Sequence, residues 1–359
     1  MKKTLSLVLM FVLIAGVLAA CGSNKNNNSS NASGSASASA SAPASGSASA
    51  PAASNGKPKK IALITPEPIG VNAFFVLMDE GFKKAGKDFG VEVKTLESTD
   101  PASIEQNIRT AAAGDYDLII TSTYQVEDAL KKIAPEYPNK SFAVIDTVVD
   151  LPNVRSIAFR EYEASYLLGA AAALVSKKGT VGNVVAMDIP LLSKYTSGFE
   201  QGAKSINPNI KILVGYVGGY TDPAKAKELA LQQNAQGADF IAGMSAAGDL
   251  GVFEAAGEKG FYTSGQDTDN TDGKQVILAQ LKGTDAVAYE TVKDFVEGNF
   301  SYGVRDYGLK EGGVGLTYVN KDSKSPLSDA LGQQNVDKLK KISDDIIAGT
   351  IVVKNPLQK

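Results

Sequence analysis

The chain has 359 residues, 43% of them hydrophobic, enough for two domains of ordinary size, each with its own core. Its 36 basic residues stand against 39 acidic ones with no basic block, which argues against nucleic acid as a partner, because phosphate binding needs clustered Lys and Arg. It has no histidine and one cysteine, which removes the usual general base near neutral pH, the commonest zinc ligand, an intrachain disulfide and a thiolate metal cluster.

Residues 1–20, MKKTLSLVLMFVLIAGVLAA, read as a signal peptide: Lys2 and Lys3 give the positive start, Leu5 to Leu18 the apolar stretch, and Ala19 and Ala20 the small residues before a cut. An uncleaved transmembrane anchor is the competing reading, but the stretch is short for one and no second apolar segment follows. The sole cysteine, Cys21, comes next. LAAC, residues 18–21, resembles the lipobox of bacterial lipoproteins, which implies cleavage before Cys21 and lipid on its sulfur; a free thiol is the alternative. Residues 22–57 are almost all Gly, Ser, Asn, Ala and Pro and cannot bury a core. They read as a flexible tether spanning roughly 30–35 Å.

From Lys60 strands and helices alternate. Strands are expected at 60–65, 91–98, 117–123, 141–148 and 154–159, with helices at about 73–88, 103–114 and 126–137. The series then restarts, with helices at 163–177, 193–206, 223–237, 251–260 and 285–298 around strands at 179–187, 210–217, 239–245, 261–267 and 274–281. A helical tail over 328–349 closes the chain. Near-continuous apolar strands separated by helices predict parallel sheets covered on both faces, and the restart predicts two α/β lobes. Ligands in such sheets bind beyond the carboxyl ends of the strands. Phe74, Asp146, Met187–Pro190, Ser245–Gly248 and Asp267 all fall there and would face one crevice.

Catalytic and metal motifs are weak. GMSAA (243–247) lacks the final Gly of a hydrolase elbow, and there is no histidine to act as base. DTDNTDG (267–273) resembles a calcium loop, but its twelfth position is Leu278 rather than a bidentate Glu, so a polar turn is expected. The glycine-rich YVGGY and EGGVGL read as turns, and Phe82 and Phe199 as core. Asp267 and Asp269 would serve as hydrogen-bond acceptors for hydroxyls rather than as a catalytic pair. The chain is not expected to be an enzyme or to carry a cofactor or metal.

Several patterns together resemble the basic membrane protein family of substrate-binding lipoproteins, which includes purine nucleoside receptors: FREYEASYLLGAAAAL (159–174), KYTSGFEQGAK (194–204), YVGGYTDPAKAKELA (216–230), GADFIAG (237–243) and GQDTD (265–269). The resemblance covers about residues 58–353. It implies a type I periplasmic-binding-protein fold, α/β, with two Rossmann-like lobes of parallel sheet joined at a hinge by three crossings of the chain. The lobes would comprise 58–161 with 278–313, and 162–277 with 314–359. It also implies delivery of a small-molecule ligand to the permease and ATPase subunits of an ABC transporter by a monomer, anchored to the outer face of the cell membrane through lipid on Cys21.

Carried over residue by residue, the resemblance makes Phe74 and Tyr195 a clamp on a nucleobase. Asp146 becomes a ligand contact, and Asp267, in Gly265-Gln266-Asp267, the holder of ribose hydroxyls. Lys282 lines the site, and Ala247-Gly248 form a turn at the cleft. The family's Asp-x-Ser-Phe-Asn stretch is changed to Val71, Asn72, Ala73, Phe74 and Phe75, which removes two polar contacts; Asn72 or Glu67 would replace one. Phe75 would then pack the helix or line the pocket. The competing functions are a binding protein for another solute, such as a sugar or a furanone, and a surface adhesin or regulatory lipoprotein without transport.

Overall fold

The computed structural model describes residues 59–70 and 72–358. The expected signal peptide, Cys21, the tether and Val71 lie outside the described residues.

The chain runs β1 (Lys60–Thr65), α1 (Ala73–Phe89), β2 (Glu92–Glu97), α2 (Pro101–Ala113), β3 (Leu118–Ser122), α3 (Glu127–Ile133), β4 (Ser141–Ile145) and β5 (Val154–Phe159). It then crosses to α4 (Glu161–Val175), β6 (Thr180–Val185), α5 (Pro190–Ile206), β7 (Lys211–Tyr216), α6 (Pro223–Ala235), β8 (Phe240–Met244), α7 (Asp249–Lys259), β9 (Tyr262–Asp267) and β10 (Val276–Lys282). It returns through α8 (Thr284–Glu297) and β11 (Gly303–Tyr307), and ends on β12 (Val314–Leu316) and α9 (Gly332–Ile347).

Two six-stranded sheets result, ordered β11-β5-β4-β3-β1-β2 and β12-β10-β9-β8-β6-β7. Every pairing is parallel except β10 with β12. The expected two-lobed α/β architecture is the one found. Each sheet buries both faces. One core containing Phe82 and Phe199 covers a face of each sheet, and separate cores around Ile119 and Ile241 cover the opposite faces. This is why the strands read as unbroken apolar runs.

Several expectations need correction. Strand β10 belongs to the second sheet, so the second crossing falls at Gly283 and not at residue 278. Helix α8 and the loop beyond it are held to the first lobe. Arg155 of β5 pairs with Asp294 of α8 at 2.8 Å and donates through Nε to the Ser301 carbonyl at 2.8 Å. A Cβ at Gly81 of α1 would lie 2.1 Å from the Asp285 carbonyl oxygen, so only glycine lets α1 and α8 approach this closely. EGGVGL is not all turn: Gly312 turns at φ 70°, but Val314–Leu316 form β12. The helix expected over 126–137 ends its α-helical part at Ile133 and goes on as a single 3₁₀ turn, because Pro135 has no N–H to extend the α pattern.

Candidate ligand-binding site

In each sheet the strand order reverses beside the first strand, between β1 and β3 and between β6 and β8. Ligand crevices form at such switch points, beyond the strands' carboxyl ends. A cavity of about 560 Å³, open mouth included, lies there, lined from one side by residues following β1, β3 and β4 and from the other by residues following β6, β8 and β9. That is within the usual size of a small-molecule site.

The backbone there is strained. Five described non-glycine residues have positive φ, and four of them line this cavity: Thr123 (67°), Asp146 (75°), Ala246 (55°) and Asp267 (64°). They follow or end β3, β4, β8 and β9. Such conformations cost about 1–3 kcal/mol each and persist where the surroundings fix them, commonly at functional sites.

The aromatic walls come from helix starts. Asn72 caps α1, its Oδ1 accepting from the Phe74 N–H at 3.2 Å, which sets Phe74 in the first turn. The Thr284 hydroxyl donates to the Phe74 carbonyl at 3.1 Å. Phe75 packs edge-on against Phe74, centroids 5.1 Å apart, and also touches the cavity, so it serves both expected roles. Tyr195 projects from α5 of the other lobe. Helix α5 lies close on α4, where a Cβ at Gly202 would come within 1.9 Å of the Tyr166 carbonyl oxygen. The Lys282 ammonium lies 5.4 Å from the Phe74 ring centroid and 5.5 Å from that of Tyr195, within cation–π range of both. No described residue bonds the Tyr195 hydroxyl.

Beneath the rings runs a buried ionic chain at the crossings. Lys282, the last residue of β10, pairs with Asp146 at 2.8 Å and with Glu161 at 3.0 Å. Glu161 opens α4 and also pairs with Lys194 of α5 at 2.5 Å, and Lys194 donates to the Phe159 carbonyl, in the other lobe, at 2.9 Å. Burial alone would pull the Lys282 ammonium down, but Asp146 and Glu161 outweigh it and hold it well above its ordinary range. Burial raises Glu161, but its two lysines bring it below the usual value. Burial pushes Asp146 up to about 7, opposed by Lys282 and assisted by Glu161. Asp267 is different. Burial pushes its carboxyl up and Lys282 opposes this from a distance, but no described cation pairs with it.

Six of the eight expected ligand residues therefore line one cavity: Asn72, Phe74, Asp146, Tyr195, Asp267 and Lys282. Ala247 lines a neighbouring pocket with Leu250 and Phe253, and Gly248 lines neither, its N–H donating to the Tyr220 and Ser245 carbonyls. Ala246, one residue earlier, takes the cavity position. Asp269 turns away and accepts from Thr271 and Ser323, locking the loop read as a polar turn. Among the described residues no acidic, cysteine or histidine cluster could hold a metal. The sequence reading missed Tyr124, Gln125 and Tyr220 at the cavity, and Glu161 and Lys194 in the ionic chain. Glu161 carried a signal: with Glu163 it is one of the two charged residues of a helix that otherwise has none.

A family model described as ABC transporter substrate-binding protein PnrA-like matches residues 58–355. The chain is 29% identical over 373 residues to a protein of Listeria monocytogenes named CD4+ T-cell-stimulating antigen, covering 96% of this chain and 98% of that one. It is 28% identical over 334 residues to a Lactococcus lactis protein named ABC transporter nucleoside-binding protein BmpA, covering 84% and 92%. A crystal structure of ABC transporter system solute-binding proteins from Aeropyrum pernix K1 superposes with a TM-score of 0.74 at 26% identity, covering 84% of this chain and 94% of that one.

Proposed function

This chain belongs to the PnrA-like family of ABC transporter substrate-binding proteins, and from that premise we propose that it binds a nucleoside between its lobes and hands it to a permease, while a lipid on Cys21 holds it at the outer face of the membrane. The observation that carries the nucleoside reading is a pair of aromatic side chains, Phe74 and Tyr195, lining one cavity from different lobes, with the Asp267 carboxylate, which no described cation pairs, in the same cavity. Rings suit the flat faces of a base. A buried carboxylate suits adjacent ribose hydroxyls, because hydrogen bonds to an ionised acceptor are roughly twice as strong as neutral ones. Lys282, the one cation among the described residues lining the cavity, and its neighbour Lys194 are both committed to carboxylates, which favours an uncharged nucleoside over a nucleotide. The name of the Lactococcus relative agrees with this reading.

Mass spectrometry of the small molecule released from the purified protein, followed by calorimetry with a nucleoside and sugar panel, tests it. A released nucleoside that rebinds supports the proposal; a free sugar that binds more tightly than any nucleoside refutes it. For the anchor, Cys21→Ala should move the protein from the detergent phase to the aqueous phase with ligand binding unchanged, and a variant still in the detergent phase rules out lipid on Cys21.

A further inference from the structure

A nucleoside site must also choose its base, and the choice falls to the first-lobe rim of the cavity. We propose that this rim selects 6-oxopurine nucleosides, guanosine and inosine, over adenosine, with Glu67 and Gln125 as the specificity-determining side chains; the inference rests on the nucleoside reading above.

Glu67 is placed by the same residue that places the clamp. Asn72 accepts from the Phe74 N–H through Oδ1, and its Nδ2 faces Glu67 Oε1 at 3.4 Å. The carboxylate therefore sits beside the first turn of α1, where the edge of a base stacked on Phe74 would arrive. Glu67 is half-buried, lines the cavity and forms no ion pair among the described residues. Apart from the long Asn72 contact, no described residue donates to it. A carboxylate only accepts hydrogen bonds.

Gln125 supplies the opposite sense. Its Oε1 accepts from the Thr123 hydroxyl at 2.9 Å, in a turn set by Thr123 at positive φ. That bond turns the amide oxygen toward Thr123 and leaves its two N–H groups as donors at the mouth. Tyr124, between them in sequence, lies against Tyr220 of the other lobe. Burial first, then Glu67, raises the Tyr124 phenol.

The rim thus offers an acceptor beside a donor. The edge of a 6-oxopurine matches it: O6 accepts, N1–H donates, and guanine adds the donating 2-amino group. Adenine reverses both. Its 6-amino group would meet the Gln125 donors, and its N1 lone pair would meet the Glu67 carboxylate. Polar groups covered without a partner lose affinity, here by roughly 10- to 100-fold for adenosine relative to guanosine.

Calorimetry of the wild type and Glu67→Gln with guanosine, inosine and adenosine tests this. The wild type should bind guanosine most tightly, inosine next and adenosine roughly tenfold or more below guanosine. Glu67→Gln keeps the size of the side chain but replaces one acceptor with a donor. It should weaken guanosine roughly tenfold and leave adenosine within about twofold, so that the ratio collapses. Adenosine binding as tightly as guanosine in the wild type, or equal losses for both in the variant, overturns the inference and leaves the nucleoside reading standing. If the folded wild type binds no nucleoside, both fall.

Discussion

Asp146 directly follows β4 and Asp267 ends β9. The two strands hold equivalent places in sheets of the same order, and both aspartates sit at positive φ, 75° and 64°. Phe74 and Tyr195 are matched in the same way, each on the helix after the first strand of its sheet. The scaffolds agree, but the charges do not. Asp146 is held by Lys282 at 2.8 Å, inside the ionic chain that joins the crossings. Asp267 pairs with no described cation and faces the cavity. The first-lobe aspartate is thus engaged at the crossings, and under the proposed function the second-lobe aspartate is the one left to hold ligand. Equivalent positions need not share a role; the role follows from which carboxylate the one nearby ammonium reaches.

Removing that ammonium should give the largest effect. Lys282→Met leaves Asp146 and Glu161 buried near each other with one lysine between two carboxylates, and breaking a buried pair from one side typically costs 3–5 kcal/mol, so the variant should lose about that much in urea unfolding. A loss under about 1 kcal/mol would mean that the chain does not hold the hinge, and the contrast between the aspartates would vanish.

The rings should behave alike where the aspartates do not. Phe74→Ala and Tyr195→Ala should each weaken nucleoside binding by about 1–3 kcal/mol, the usual worth of base–aromatic stacking, in titrations of the folded protein. Tyr195→Phe should be nearly neutral, since no described residue bonds the hydroxyl. A loss confined to one ring would show that the base stacks on a single lobe.

Asp249, at the start of α7, gives a third buried carboxylate to set beside the other two. Burial pushes it up to about 7, while the Ser245 hydroxyl and N–H donate to it at 2.6 and 2.8 Å and oppose the rise. Because its folded value lies above the ordinary 3.8, the folded protein keeps a proton that the unfolded chain releases. Stability from this group is whole below about 3.8 and is lost as pH rises toward about 7, with a slope of at most ~1.4 kcal/mol per pH unit. Asp249→Asn should flatten the fall of unfolding free energy across that window. An unchanged slope would show that Asp249 is ionised throughout.

The lobes were legible because fully buried parallel strands leave unbroken apolar runs separated by helical patterns. Phe74 and Asp267 were legible from their places at strand ends, and Tyr195 only through the family resemblance. What escaped depends on long-range pairing. Strand β12 has only three residues and pairs with β10, so no local pattern marks it. The crossing at Gly283 was misplaced by five residues, because β10 looks the same in either sheet. Nothing local says that Lys194 reaches the Phe159 carbonyl, or that Lys282 chooses Asp146 over Asp267.

The central claim, that Asp267 reads ribose hydroxyls while Asp146 serves the hinge, is tested most directly by calorimetry of wild type, Asp267→Ala and Asp146→Asn with inosine and 2′,3′-dideoxyinosine. Asp267→Ala should cost inosine about 2–4 kcal/mol and the dideoxy ligand far less, whereas Asp146→Asn should affect the two ligands equally. Equal losses for both ligands in Asp267→Ala, or a hydroxyl-dependent loss in Asp146→Asn, would contradict it.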